Sequence, residues 1–244
     1  MSRLFLFAGG PFMAGTATMR STTGQEHTMI TLYNVPVSSY GSKIRIILDQ
    51  KKCDWTETPP PDGYGSTAYK SIIPAGTVPA ISHDGFHLAD SEAIAEYLEE
   101  VFPDPAMLPS SPQARAAARE ISRFHDTRIE PLLRSYFSQI SPSTRDASVI
   151  AGNAALLQTR LDDLAVIASP APLMTGGALA IADCGFVASF AIITLLQDVL
   201  DLPVTLPPSI AAYRLALTSH PSVAGEHDRY SAVLGEWATA KLRD

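Results

Sequence analysis

The sequence predicts an α/β plus all-α architecture: a mixed α/β domain followed by an all-helical one. Three observations carry that prediction. Up to about residue 101, short β-rich runs alternate with runs of helical period. The segment "FPDPAMLPSSPQ" then sets four prolines into positions 102–112 and breaks all periodicity, which marks a linker. Beyond it, every patterned stretch repeats at helical spacing.

Taken in order, "ITLYNV" at 30–35 is short and β-rich, so it reads as a strand. After the turn "SSYG", Ile44, Ile47 and Leu48 recur at helical spacing up to about Lys52. "DWTET" at 54–58 is a weaker strand, and "PPPDGYGST" is a loop built from Pro and Gly. A strand is expected over Val78 to Ser82, then a hairpin turn at His83-Asp84-Gly85 and a returning strand over Phe86 to Leu88. Asp90-Ser91 suit the cap of a helix whose Ile94, Tyr97, Leu98 and Val101 share one face. The first domain is therefore placed at 29–103, in the order β-α-β-(α)-β-β-α. The helical domain is placed at 112–244. It opens on a long helix containing Ile121, Phe124, Leu132, Leu133, Tyr136 and Phe137, kinked at Pro131. Leu156, Leu157, Leu161 and Leu164 mark the next helix. "DCGFVASFAIITLLQDV" at 183–199 is apolar nearly all round, so it should be the buried centre of the bundle. Shorter helices are expected near 208–218 and 221–235.

The chain has 244 residues, 46% of them hydrophobic, enough for one or two domains with a sizeable core. No uninterrupted apolar run reaches about 18 residues, so no membrane partner is expected. A net charge of −7 argues against a nucleic acid partner. Cys53 and Cys184 stand far apart and the six His are scattered, so neither a disulfide framework nor a metal site is indicated, and a reducing, cytoplasmic setting is expected. Residues 1–28 admit a secretory signal, but Gly9, Gly10 and Pro11 interrupt the apolar stretch. The plainer expectation is a disordered tail or a misassigned start, with Met29 opening the first strand.

Two stretches at a fixed spacing point further. "IIPAGTVPAI" is followed, eleven residues after Pro79, by "DSEAIAEYLEE". Together they resemble the Pro-x-Gly-x-Val-Pro and Glu/Gln/Asp-Ser-x-Ala-Ile stretches of the glutathione transferases. "SSYGSKIRIIL" is most similar to the serine-type branch, especially the zeta-like "SSCS-x-R-V-R-I-x-L" pattern, and "LAIADCGFVAS" resembles the family signature at the start of the core helix. The resemblance spans about residues 29–240. It implies a thioredoxin-like, glutathione-binding first domain, a helical second domain, a homodimer, glutathione as cosubstrate and a small electrophilic substrate of the detoxification type.

The residues support that chemistry in part by themselves. Val78-Pro79 alone reads as an ordinary trans proline at an edge strand. The resemblance implies a cis bond whose Val78 backbone pairs with the tripeptide as an added strand would. Asp90-Ser91 read as a helix cap. The same positive helix end suits the α-carboxylate of a γ-glutamyl group at Ser91, with Asp90 accepting from its ammonium. Only a thiolate attacks, and a free thiol has a pKa of about 8.5. A hydroxyl that donates to sulfur at a helix N-terminus lowers it. The resemblance puts Ser38 at the catalytic serine, Ser39 beside it, and Tyr40 where zeta-like members carry a cysteine, which disfavours cysteine-based thiol transfer. Tyr40 is a substitute donor; Tyr33 reads as core packing.

Two departures stand out. Some members carry His or Lys shortly before the Val-Pro pair, where this chain has Ala75 and Gly76; Thr77 or Lys70 is expected to compensate. Ala180, three residues before Asp183, lacks the hydroxyl half of a helix cap, an omission worth about 1 kcal/mol. For the second substrate, Arg128 and Tyr136 are the candidates, implying an acidic or phenolic electrophile if they face the cleft. Solvated ion pairs are the plainer account of "RFHDTRIEPLLR". Three functional readings follow: a transferase, a zeta-like cis-trans isomerase of maleyl acids, and a non-catalytic binding protein.

Overall fold

The computed structural model describes residues 29–244, so the expectations for residues 1–28 lie outside the described residues. Strands β1 (Ile30–Tyr33), β2 (Trp55–Thr58), β3 (Ala80–His83) and β4 (Phe86–Ala89) form one sheet in the order β2-β1-β3-β4. β1 runs parallel to β2, while β3 is antiparallel to both β1 and β4. Helices α1 (Ser39–Gln50), α2 (Thr67–Lys70) and α3 (Ser91–Val101) complete the thioredoxin-like domain. The parallel β1–β2 pair needs a crossover, and α1 supplies it. α1 turns Ile44, Ile46, Ile47 and Leu48 into a fully buried layer with Ile30, Leu32 and Ile81 of the sheet. Each such side chain contributes about 1.5–3 kcal/mol of burial.

The second domain is helical: α4 (Pro112–Phe124), α5 (Glu130–Ser135), α6 (Ala147–Ile167), α7 (Ile181–Leu200), α8 (Pro208–Thr218) and α9 (Pro221–Lys241). α7 is apolar and long enough to span a bilayer, yet it is the centre of the bundle, contacted by α1, α4, α8 and α9. α9 runs further than the sequence pattern suggests, and its Tyr230 hydroxyl donates to the Val37 carbonyl at 3.0 Å. The expected kink at Pro131 is instead a π-helical turn, His125–Ile129, just ahead of the proline. Pro131 has no N–H to give, and its ring crowds the carbonyl one turn back, so the wider turn absorbs it.

Ala180 does lack a capping side chain, but Asp183 offsets the loss. Its carboxylate accepts from the Ala180 and Met174 N–H groups, both at 2.9 Å, and from the Tyr213 hydroxyl at 3.0 Å.

A buried polar network joins the domains. The Lys43 ammonium on α1 donates to Glu92 on α3, and to Asp126 at 2.9 Å in the π turn. His125 bridges Asp126 and Ser189 of α7, at 2.8 Å on each side. Burial alone would raise the Asp126 carboxyl pKa. The His125 hydrogen bond and the Lys43 charge outweigh it and hold that carboxyl well below the usual range. Burial likewise works against the Lys43 ammonium, and Asp126 and Glu92 hold its pKa above normal.

Candidate active site

The turn between β1 and α1 explains its small hydroxyl residues. Ser38 is the N-cap of α1, with extended backbone, and its Oγ accepts the Gly41 N–H at 3.0 Å. That bond uses a lone pair. The Ser38 proton has no acceptor among the described residues, and the side chain lines a cleft. Gly41 is needed here because a Cβ would lie 2.2 Å from the buried Asn34 amide.

Ser39 differs. Its hydroxyl donates to Glu130 Oε1 at 2.6 Å, and both residues are buried, Ser39 at 7% and Glu130 at 1% exposure. Tyr40 donates to the Asp126 carbonyl at 2.8 Å. Burial, then the nearby Glu130 carboxylate, push its phenol far above the ordinary tyrosine range, so it holds its proton. Of the three adjacent hydroxyls, Ser38 alone keeps a donor free for a ligand. Tyr33 packs against Tyr69, with ring centroids 5.6 Å apart and the rings tilted by 57°, and lines neither of the cavities described next, in keeping with the packing role expected of it.

Two adjoining cavities share Tyr40, Thr77, Val78 and Arg134. The larger, about 510 Å³, is walled by Pro79, Asp90, Ser91, Arg123 and Asp126. The Val78–Pro79 bond is cis, and the Val78 N–H and C=O make no hydrogen bond among the described residues. Asp90 sits at φ 82°, an uncommon conformation for a side chain-bearing residue, and one carboxylate oxygen caps the Glu92 and Ala93 N–H groups at 3.0 Å. Its second oxygen faces no described donor. Gly76 has φ 66°, and a Cβ there would lie 2.9 Å from Lys70 Cε, so the Lys70 stem fills the space a larger residue at 76 would need. Lys70 itself lines neither cavity, whereas Thr77 lines both.

The smaller cavity, about 290 Å³, is lined by Val35, Val37, Ser38, Ser39, Tyr64, Phe137, Glu130 and Arg134. Its walls are largely apolar, with one ion pair at the edge: Arg134 Nη2 donates to Glu130 Oε2 at 2.5 Å, and the guanidinium lies 5.1 Å over the Tyr40 ring. The two expected second-substrate residues are corrected here. Arg128 is exposed and lines neither cavity, because the π turn rotates it outward. Tyr136 is fully buried in the helical core, its hydroxyl on the Ile150 carbonyl at 3.3 Å. Arg134 and Phe137 line the smaller cavity instead. Helical spacing alone did not give this, since the π turn shifts the phase of everything after His125. Glu130 and Arg134 are four apart, which was a legible pairing signal.

Among the described residues, no group of His, Cys, Asp or Glu is arranged to hold a metal ion. The arrangement offers instead a hydroxyl on the smaller cavity, a helix N-terminus on the larger one, and the free Val78 backbone on the wall they share.

Residues 32–106 match the family model for the glutathione S-transferase N-terminal domain. In sequence the chain is 38% identical over 107 residues to a probable maleylacetoacetate isomerase 1 of Drosophila melanogaster, covering 41% of this chain and 44% of that protein. It is 39% identical over 106 residues to the maleylacetoacetate isomerase of Rattus norvegicus, covering 41% and 49%. The chain spans about half the length of the relatives it matches in this way. In structure it resembles a delta-class glutathione transferase of Nilaparvata lugens, with a TM-score of 0.73, 19% identity, and 87% and 99% of the two chains covered. It also resembles the theta-class enzyme of Xanthomonas axonopodis pv. citri, solved with glutathione bound, with a TM-score of 0.68, 21% identity, and 82% and 97% covered.

Proposed function

We propose that this chain, whose first domain matches the glutathione S-transferase N-terminal domain, binds glutathione in the larger cavity with its thiol reaching Ser38 in the adjoining smaller one, and activates that thiol through Ser38. The observation that carries this reading is the free proton of the Ser38 hydroxyl, held at the N-cap of α1 on the smaller cavity, which adjoins the larger, Ser91-lined cavity through the shared Val78. The γ-glutamyl carboxylate takes the N-terminus of α3 at Ser91, and Asp90 accepts from the adjacent ammonium. The free Val78 backbone pairs with the central cysteine residue, while Thr77 and Lys70 serve the far carboxylate. Sulfur then lies at Ser38.

Lowering the thiol pKa by one to two units requires about 1.4–2.7 kcal/mol. A hydrogen bond to a charged group gives about 1.5–3 kcal/mol, and a helix N-terminus adds about 0.3–1. The proton leaves to solvent, so no general base is called on. The thiolate attacks an electrophile held in the smaller cavity, and holding both partners supplies much of the rate gain. Arg134 at its edge suits an electrophile that gathers negative charge on oxygen as sulfur adds.

A second reading is favoured by the sequence relatives, several of which are named maleylacetoacetate isomerases. In it, the thiolate adds to a cis double bond of a maleyl acid, the bond rotates, and the thiolate leaves again. On either reading the chain works as a homodimer in the cytoplasm; both cysteines are free and buried, which suits a reducing compartment. A co-crystal with glutathione tests the shared core: sulfur should lie within about 3.3 Å of Ser38 Oγ. Parallel assays of maleylacetoacetate isomerisation and chloronitrobenzene conjugation separate the two readings. No retention on immobilised glutathione and no turnover of either substrate would leave a binding protein.

A further inference from the structure

We infer that Glu130 decides which serine serves the thiolate: by taking the only hydroxyl proton of Ser39, it leaves Ser38 as the sole donor. This rests on the glutathione reading above. A serine hydroxyl has one proton to give and two lone pairs. The Ser39 proton is committed to Glu130 Oε1 at 2.6 Å, a short bond to a carboxylate buried to 1% exposure, the strong class of hydrogen bond. Ser39 therefore offers sulfur only lone pairs, which repel a thiolate. Arg134 holds the second Glu130 oxygen at 2.5 Å, so the carboxylate is fixed from both sides and faces the small cavity between the two groups. Glu130 acts through Ser39, so it is a positioning residue. It reaches the site from the helical domain, where the π turn ahead of Pro131 carries it inward.

The substitution that reveals this is Glu130→Gln. Arg134 only donates, so it draws the amide oxygen, and the amide N–H₂ must then face Ser39 and donate to it. The Ser39 proton is released toward the cleft, and a second sulfur donor appears.

The test is a titration of the thiol of bound glutathione, followed by thiolate absorbance, in the wild type, Ser38→Ala, Ser39→Ala, Glu130→Gln and the Ser38→Ala/Glu130→Gln double variant. Ser38→Ala is expected to raise the bound-thiol pKa by about one unit in the wild-type background. In the Glu130→Gln background the same change should move it by no more than about a third of that, a non-additivity that loss of structure alone does not produce. Ser39→Ala should leave the pKa where it is. Equal shifts in both backgrounds, or a Ser39→Ala shift as large as that of Ser38→Ala, would overturn the assignment. If Glu130→Gln does not fold, a Ser39→Ala shift as large as that of Ser38→Ala still overturns the assignment. A wild type whose bound thiol titrates as in free solution would instead remove the glutathione reading beneath it.

Discussion

Tyr40 and Arg134 stack across the domain boundary, the guanidinium 5.1 Å above the ring, at the wall shared by the two cavities. The stack fixes Arg134 on the wall between the cavities, where the proposed electrophile would enter, although the side chain itself is half exposed. A cation held over an aromatic face keeps its outward N–H groups in one direction.

Arg134→Ala should therefore separate the two ligands. The KM for an electrophile that develops charge on oxygen is expected to rise about 10- to 150-fold, the worth of one hydrogen bond to a charged group. The KM for glutathione should change less than about twofold, since the tripeptide takes no anchoring from it in this account. Steady-state kinetics with each substrate varied in turn checks this.

Asp126 gives a pH prediction. Its folded pKa lies below the unfolded value of about 3.9, so its stabilisation is complete above that value and is lost as pH falls through the folded pKa. Lys43 has the opposite sign: its pKa is raised, so its contribution persists below about pH 10.4 and is lost above. Between about pH 5 and 9 the pair should leave stability flat with pH. Asp126→Asn is expected to cost on the order of 1–3 kcal/mol at neutral pH, with the gap to wild type narrowing below about pH 4. Denaturant unfolding across that range measures it. Lys43→Met should cost more, about 3–5 kcal/mol, because it leaves two carboxylates buried together.

Gly41→Ala tests the packing beneath the β1–α1 turn. The new Cβ would fall 2.2 Å from the Asn34 side chain, which is only 1% exposed and has little room to retreat. The N-terminus of α1 must move. A loss of about 1–3 kcal/mol is expected, with weaker glutathione binding, although alanine is the better helix former. Thermal unfolding and binding calorimetry read the two effects.

Much of the architecture was legible because it is written in local patterns. The alternating strands, the Asp90-Ser91 cap, the proline-rich linker and the all-apolar α7 each follow from nearby residues. The Val78–Pro79 cis bond was expected from the resemblance, not from the residues alone. The lining of the smaller cavity was not legible. Arg128 and Tyr136 look as suitable as Arg134 and Phe137 on a regular helix, and only the π turn decides between them. Nor did the sequence pattern say that Ser39 spends its proton on Glu130, a contact between residues 91 positions apart. The missing hydroxyl at Ala180 was read correctly, but its offset by Met174 and Tyr213 depends on chain segments that meet only in the folded helical domain.

The most direct test is the titration of the glutathione sulfur on the protein, with and without the Ser38 hydroxyl. The bound thiol of the wild type should ionise about one to two units below its free value of about 8.5, and Ser38→Ala should return most of that shift while glutathione stays bound. A wild-type value no lower than in free solution, or a Ser38→Ala protein that ionises the thiol as readily as the wild type, would contradict the account.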